Sequence, residues 1–328
     1  MDDRLKISKQ VLKKCCKTNG AIIVSYDSNK NTKDYRYVWP RDAAFVCVAA
    51  NKIGINNIQE KFFRWCIKAE GWKETGLLYK KYNINGKQER HAFQPDSTGL
   101  VLWAIYDYYQ NKEIPKDIQN FIKKTANALC KIWNKDHFKI ITEDLWEERK
   151  AYPELKQNFL FSIAACSLGL KCAYELLKNK TWLKKSNEMK KVILKQKEFY
   201  RKIGKIQDKN IDASLLGLVY PCNIIDIKDK RMQKVIKRIE KEITIDKGIH
   251  RYKNDDYDGW LIKGKQAKQG SGYWPLLNLW MYKVTNNKEY YNKVLKDTGN
   301  LIPEQVFNNK IQKSVTPLAW AHAMFILK

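Results

Sequence analysis

The sequence predicts an all-α fold, on three observations: apolar residues recur at helical spacing from end to end, strand signals are few and short, and no Ser/Gly- or Pro-rich linker divides the chain. The 328 residues are 44% hydrophobic, enough for a sizeable core, while Pro and Gly number only eight and fifteen. A single domain over 1–328 is therefore expected, since helical barrels reach this size as one unit.

Twelve segments carry the helical period: 3–17, 40–53, 56–70, 96–111, 116–134, 155–178, 181–204, 210–218, 229–243, 272–284, 287–300 and 316–327. The pattern is plainest in the sixth, where Leu155, Phe159, Ile163, Cys166, Leu170, Ala173 and Leu177 step by three or four and fall on one stripe. Pro40 suits the first turn of the second segment, and Asp96 is an N-cap candidate for the fourth. One strand signal stands out. Leu77–Tyr82, followed by Asn83-Ile84-Asn85-Gly86, predicts a small β-hairpin decorating the helical body, because Asn-Gly supplies the positive φ angles of a tight turn. Helices of similar length suit either a solenoid or a closed double ring, and no fixed sequence period favours the solenoid.

Charge and cysteines bound the function. The net charge of +27 raises the question of nucleic acid, but only ten of the 62 basic residues are Arg, the residue that phosphate and base edges favour. Lysine pairs such as Lys184-Lys185 and Lys190-Lys191 are scattered along helical segments and read as a solvated coat; no nucleic-acid partner is expected. The eight cysteines form no CxxC pair and do not alternate with His at metal-ligand spacing, so they read as small buried hydrophobes with free thiols. The N-terminus lacks the pattern of a secretory signal and no segment looks long enough to span a bilayer, which predicts a cytoplasmic protein with no membrane partner. Eleven Trp, eighteen Tyr and eleven Phe favour, weakly, a site that stacks on sugar rings.

Several segments carry chemistry, each with a plain structural reading beside it. Tyr35-Arg36-Tyr37-Val38-Trp39-Pro40-Arg41-Asp42 offers a ring face, a donor and an acceptor, a set that fits sugar hydroxyls; helix capping explains the same residues. His91-Ala92-Phe93-Gln94-Pro95-Asp96 is a weaker signal of the same kind. In Asp144-Leu145-Trp146-Glu147-Glu148-Arg149, an apolar Trp beside paired carboxyls suits a general acid, because desolvation raises a carboxyl pKa. Gly248–Tyr257 and Gly272-Tyr273-Trp274-Pro275 offer Arg251 as a clamp for hydroxyls and Trp274 as a pocket wall. Pro303-Glu304-Gln305 supplies a second carboxylate on a stiffened loop.

The types and order of these segments, with Asp212-Ala213-Ser214-Leu215-Leu216-Gly217-Leu218, Tyr220-Pro221 and Pro317-Leu318-Ala319-Trp320-Ala321-His322, resemble the catalytic domain of glycoside hydrolase family 15, the glucoamylase-like family. The resemblance implies an (α/α)6 barrel, a six-hairpin toroid. It implies Glu147 as general acid, Glu148 as a substrate-binding carboxylate and Glu304 as general base. Tyr35, Trp39, Arg41, Asp42 and Arg251 would hold a terminal glucose, with Trp146 and Trp274 as walls. The activity implied is inverting release of β-glucose from α-1,4-glucans; trehalose or α-1,6-linked substrates are the alternatives within the family, and a non-catalytic carbohydrate-binding barrel is the alternative outside it. Inversion predicts the two carboxyls roughly 6.5–9.5 Å apart, leaving room for water. No cofactor or metal is implied. Many prokaryotic relatives carry a β-sandwich domain before the barrel, and this chain starts at what reads as the first barrel helix; the expectation is that the domain is dispensable or supplied by a separate polypeptide.

Overall fold

The inner wall of the protein is a closed ring of six elements whose apolar sequences bury most of their surface. The computed structural model describes residues 2–89 and 92–328. Its helices are α1 (Asp2–Cys15), α2 (Pro40–Lys52), α3 (Ile58–Lys68), the one-turn α4 (Trp72–Thr75), α5 (Pro95–Tyr109), α6 (Lys116–Ile132), α7 (Leu160–Leu177), α8 (Lys180–Leu194), α9 (Lys230–Glu242), α10 (Pro275–Thr285), α11 (Lys288–Asp297) and α12 (Ala319–Leu327). A 3₁₀ helix spans Ala213–Leu218. Around the ring α2 packs on α5, α5 on α7, α7 on the 3₁₀ helix, that helix on α10, α10 on α12, and α12 back on α2.

Sequence explains which helices go inside. Residues 40–50 of α2 are all buried, as is every residue of α12 from Ala319 to Leu327, so neither has a polar face to offer water. In α9, by contrast, only Met232, Val235, Ile236 and Ile239 are buried and the lysines face out, the stripe of a helix covered on one side. α1, α3, α6, α8, α9 and α11 form this outer layer, an (α/α)6 barrel as the resemblance implied. α7 has 18 residues and is apolar enough, by length and composition, to cross a bilayer, which corrects the expectation that no segment is; its apolarity is what an inner-ring position requires.

α5 and α7 meet backbone to backbone. A Cβ on Gly99 would lie 2.4 Å from Ala165 O, and one on Gly169 would lie 2.4 Å from Gly99 O. Gly99→Ala is therefore expected to destabilise the protein by about 1–3 kcal/mol through overpacking, read as a lower urea midpoint at unchanged m.

Several predicted boundaries shift. The segment 181–204 stops being helical at Leu194, because Arg231 of α9 donates to Leu194 O (2.8 Å) and Gln196 O (2.9 Å) and satisfies the helix end from outside. Phe159 and Ile203, each in step with a helical stripe, instead sit in two short antiparallel strands with Asn158 opposite Ile203 and Phe159 opposite Lys202. The Asn83–Gly86 turn forms, with Gly86 at φ 81° and Asn83 N–H donating to Lys87 O, but Leu77–Tyr79 is not strand: Tyr82 alone bridges to both Val38 and Gln88. Four further two-stranded ladders occur in the loops among the described residues. All eight cysteines are free, six of them buried.

Candidate active site

The N-terminal ends of inner elements converge, and several of the residues just before them are aromatic or acidic. Trp39 precedes Pro40 of α2 and Trp274 precedes Pro275 of α10, each proline taking the first helical turn where its missing N–H costs nothing. Asp212 caps the 3₁₀ helix by accepting from Ser214 N (2.8 Å), and Leu318 precedes α12.

The loop Asp144–Arg149 closes a hairpin in which Thr142 pairs with Ala151 and Glu143 with Lys150. Buried Asp144 organises it: Oδ1 accepts from Glu148 N (2.8 Å) and Arg149 N (3.1 Å), and its carbonyl accepts from Glu147 N (3.1 Å). Glu147 adopts φ 66°, a left-handed conformation that costs a non-glycine residue energy and is found where surrounding bonds impose it. Trp39 Nε1 donates to Glu147 Oε1. Trp146 Nε1 donates to both oxygens of Asp212 (2.9 and 3.1 Å), fixing its indole beside Trp274, with ring centroids 5.8 Å apart.

Two adjoining pockets open on this end and share Tyr35, Trp39, Trp146, Glu147 and Arg251. The inner one adds Arg41, Asp42, Trp274, Glu304, Leu318 and Trp320. The outer one, about 560 Å³, adds Lys33, Tyr37, Lys81, Glu148, Tyr257 and Lys268 among others. All ten residues to which the resemblance gave a role thus line one pocket or the other, although they come from five separate segments.

Glu304 is buried, and Oε1 accepts from Tyr35 OH (2.8 Å), which also bonds Tyr257 OH. Burial pushes its carboxyl up to about 7, against the lowering effects of Tyr35 and Arg251. Burial likewise raises Asp42 to about 6, helped by nearby Glu147 and opposed by Arg41. Arg251 forks onto Asp255 (2.7 and 2.8 Å), bonds Glu148 Oε1 (2.7 Å), and lies over the rings of Tyr257 (4.9 Å) and Trp274 (5.0 Å).

Thirteen buried side-chain polar atoms lack a hydrogen-bond partner among the described residues, and five of them sit on inner-pocket residues: Arg41 Nε, Asp42 Oδ2, Trp274 Nε1, Glu304 Oε2 and Trp320 Nε1. Asp42 Oδ2 is 2.9 Å from Arg41 Nη2, but as an ion pair without an aligned hydrogen bond. Such a concentration of unmet donors and acceptors suits a ligand rich in hydroxyls. No three His, Cys, Asp or Glu side chains gather to hold a metal among the described residues.

Gln94 and Asp96 do not line either pocket. Gln94 Oε1 accepts from Arg41 (3.0 Å) while its amide bonds Asp144 O, and Asp96 lies 3.6 Å from Arg41 in the first turn of α5; both brace the site from behind. His91, quoted with them, lies outside the described residues. Sequence reasoning missed Lys80, Asp212 and Tyr257 as site residues. Tyr257 and Asp212 stood inside quoted motifs, and Lys80 stood in the Leu77–Tyr82 segment read only as a strand of the hairpin.

Residues 6–299 match the model of glycosyl hydrolases family 15, a stretch that ends short of Glu304. An uncharacterized glycosyl hydrolase of Methanocaldococcus jannaschii is 32% identical over 95% of this chain and 53% of its own length. Trehalase 2 of Sulfolobus acidocaldarius is 26% identical over 68% of this chain and 43% of its own. The chain spans about half the length of the curated relatives it matches. A bacterial glucoamylase complexed with acarbose superposes with a TM-score of 0.78 at 22% identity, covering 97% of this chain and 53% of that one. The matched stretch and the shared barrel lead to one conclusion: the chain belongs to glycosyl hydrolases family 15.

Proposed function

We propose that the protein is an inverting, exo-acting α-glucosidase that releases β-glucose from the non-reducing ends of α-1,4-linked oligosaccharides. The observation that carries this reading is the polar lining of the inner pocket, where Arg41, Asp42, Trp274, Glu304 and Trp320 each carry a buried polar atom without a hydrogen bond, a lining suited to the hydroxyls of one sugar ring. The terminal glucose sits there, held by Arg41, Asp42 and Trp320, and the rest of the chain lies in the outer pocket.

Glu147 lies where the two pockets meet, the place of the bond to be cut. It gives its proton to the glycosidic oxygen as the C–O bond breaks. Glu304 lies only in the inner pocket; Tyr35 occupies Oε1 and leaves Oε2 to take a proton from the attacking water. Glu148, tied to Arg251 and Tyr252, faces the leaving side.

The test is glucose release from maltotriose, isomaltose and trehalose with the product anomer followed by NMR. From maltotriose or isomaltose, β-glucose first supports inversion and α-glucose first overturns it; from trehalose, inversion gives the two anomers in equal amounts and retention gives α-glucose alone. Release from trehalose alone would favour the second reading, trehalase, which similarity to trehalase 2 of Sulfolobus acidocaldarius supports. A pH prediction accompanies it. Glu304 must be ionised to act as base, and burial holds it protonated below about 7. Activity as kcat/KM should therefore fall tenfold per pH unit on the acid side, with the bend close to 7 rather than in the ordinary carboxylate range.

A further inference from the structure

Lys80 is one of many lysines in the sequence, yet it is 2% exposed. Its ammonium lies 2.5 Å from Glu143 Oε2 and 3.5 Å from Glu147 Oε2. A buried ammonium needs a carboxylate, and Glu143 alone meets that need. The approach to Glu147 is additional. Glu143 and Glu147 flank the organised loop from the two sides of Asp144, so the hairpin that aims Glu147 also delivers it to Lys80.

We propose that Lys80 is a positioning residue for Glu147, its ammonium steadying the carboxylate that forms when Glu147 passes its proton to the leaving oxygen. The inference rests on the reading of Glu147 as general acid. In the step, the proton moves from Glu147 to the glycosidic oxygen, the bond from that oxygen to the anomeric carbon breaks, water adds to the carbon, and Glu304 takes the water's proton. Negative charge thus appears on Glu147 beside Lys80 and disappears from Glu304, which lies against Tyr35 and Tyr257. Charged and titratable groups facing Glu147 are Arg41 and Asp42 from the first turn of α2, Tyr257 and Arg251 from the loop before α10, and Lys80 itself. Trp39 Nε1 holds the other oxygen. Of the cations, Arg41 is already paired with Asp42 and Arg251 with Asp255 and Glu148, whereas Lys80 divides itself between Glu143 and Glu147.

The experiment compares an O-linked glucoside, maltotriose or trehalose, with α-glucosyl fluoride, whose leaving group departs without a proton. Lys80→Met, Lys80→Arg, Glu147→Gln and the double variant Lys80→Met/Glu143→Gln, which removes the stranded carboxylate, are assayed on both. The expected result is a loss of roughly 10–100-fold in kcat/KM on the O-glucoside and at most about threefold on the fluoride, for the single and double Met variants alike. Lys80→Arg should recover most of the loss. Equal losses on both substrates, or none, would make Lys80 a structural brace and overturn the inference. Glu147→Gln separates this from the reading beneath it: a selective loss there with none in the Lys80 variants sinks only the role of Lys80, and an unselective loss there removes the acid and with it this inference.

Discussion

Glu304→Gln should lose turnover by a factor on the order of 10²–10⁴ and yet be more stable than the parent protein at pH 8. Both effects come from one buried carboxyl. Its pKa is raised from the ordinary 4.5 to about 7 by burial. Between those values the folded protein keeps a proton that the unfolded chain releases, so stability falls as pH rises through that window and the full penalty is present above about 7. Gln carries no charge, keeps an oxygen to accept from Tyr35, and escapes the penalty. The difference amounts to about 3 kcal/mol at pH 8 and vanishes near pH 4. Urea unfolding of both proteins at the two pH values measures it; equal stability at pH 8 would mean that Glu304 is not held up by burial. A residue whose removal stabilises the fold while ending activity is the usual mark of a site kept for chemistry.

The second large effect is expected at Arg251. Arg251→Met strands Asp255, whose side chain is 1% exposed, without its bidentate partner, and should destabilise the protein by about 3–5 kcal/mol. The same change frees Glu148 and withdraws the guanidinium over Trp146 (5.5 Å) and Trp274 (5.0 Å), so kcat/KM falls with stability. Adding Asp255→Asn should restore much of the stability and little of the activity, because the stranded charge is gone while the pocket wall is still loose. Arg251→Lys keeps a charge but not the fork, and belongs between the two. A double-mutant cycle in unfolding free energy, run beside kcat/KM, separates the two losses; full recovery of activity in the double variant would place Arg251 outside the binding machinery.

Much of this was legible in the sequence because it depends on local pattern. Apolar steps of three and four marked each helix that the barrel contains except the single turn at Trp72–Thr75, which is too short to show a period. Trp-Pro at 39–40 and at 274–275 marked helix entries that prove to be pocket rim. Where long-range bonds decide, the sequence is silent. Arg231 ends α8 from another helix, and nothing in 181–204 announces it. Gln94 and Asp96 have the chemistry to meet a sugar, but the buried Arg41 guanidinium engages them instead, through Nη1. Lys80 is the sharpest case: composition places lysines in water, and only the fold puts this one between two carboxylates.

The inner pocket ends at Leu318 and Trp320, and Trp320 is wedged between Phe45 (4.9 Å) and Trp280 (5.7 Å) at the centre of the barrel. Its floor is therefore core among the described residues. On the exo-acting reading proposed above, whatever enters first leaves last: the cleaved fragment would clear the outer pocket before the sugar beneath it could go. A polymer would not be threaded through such a site, so each cut would end in full release, hydrolysis would be distributive, and the freed monosaccharide would compete for the place it left.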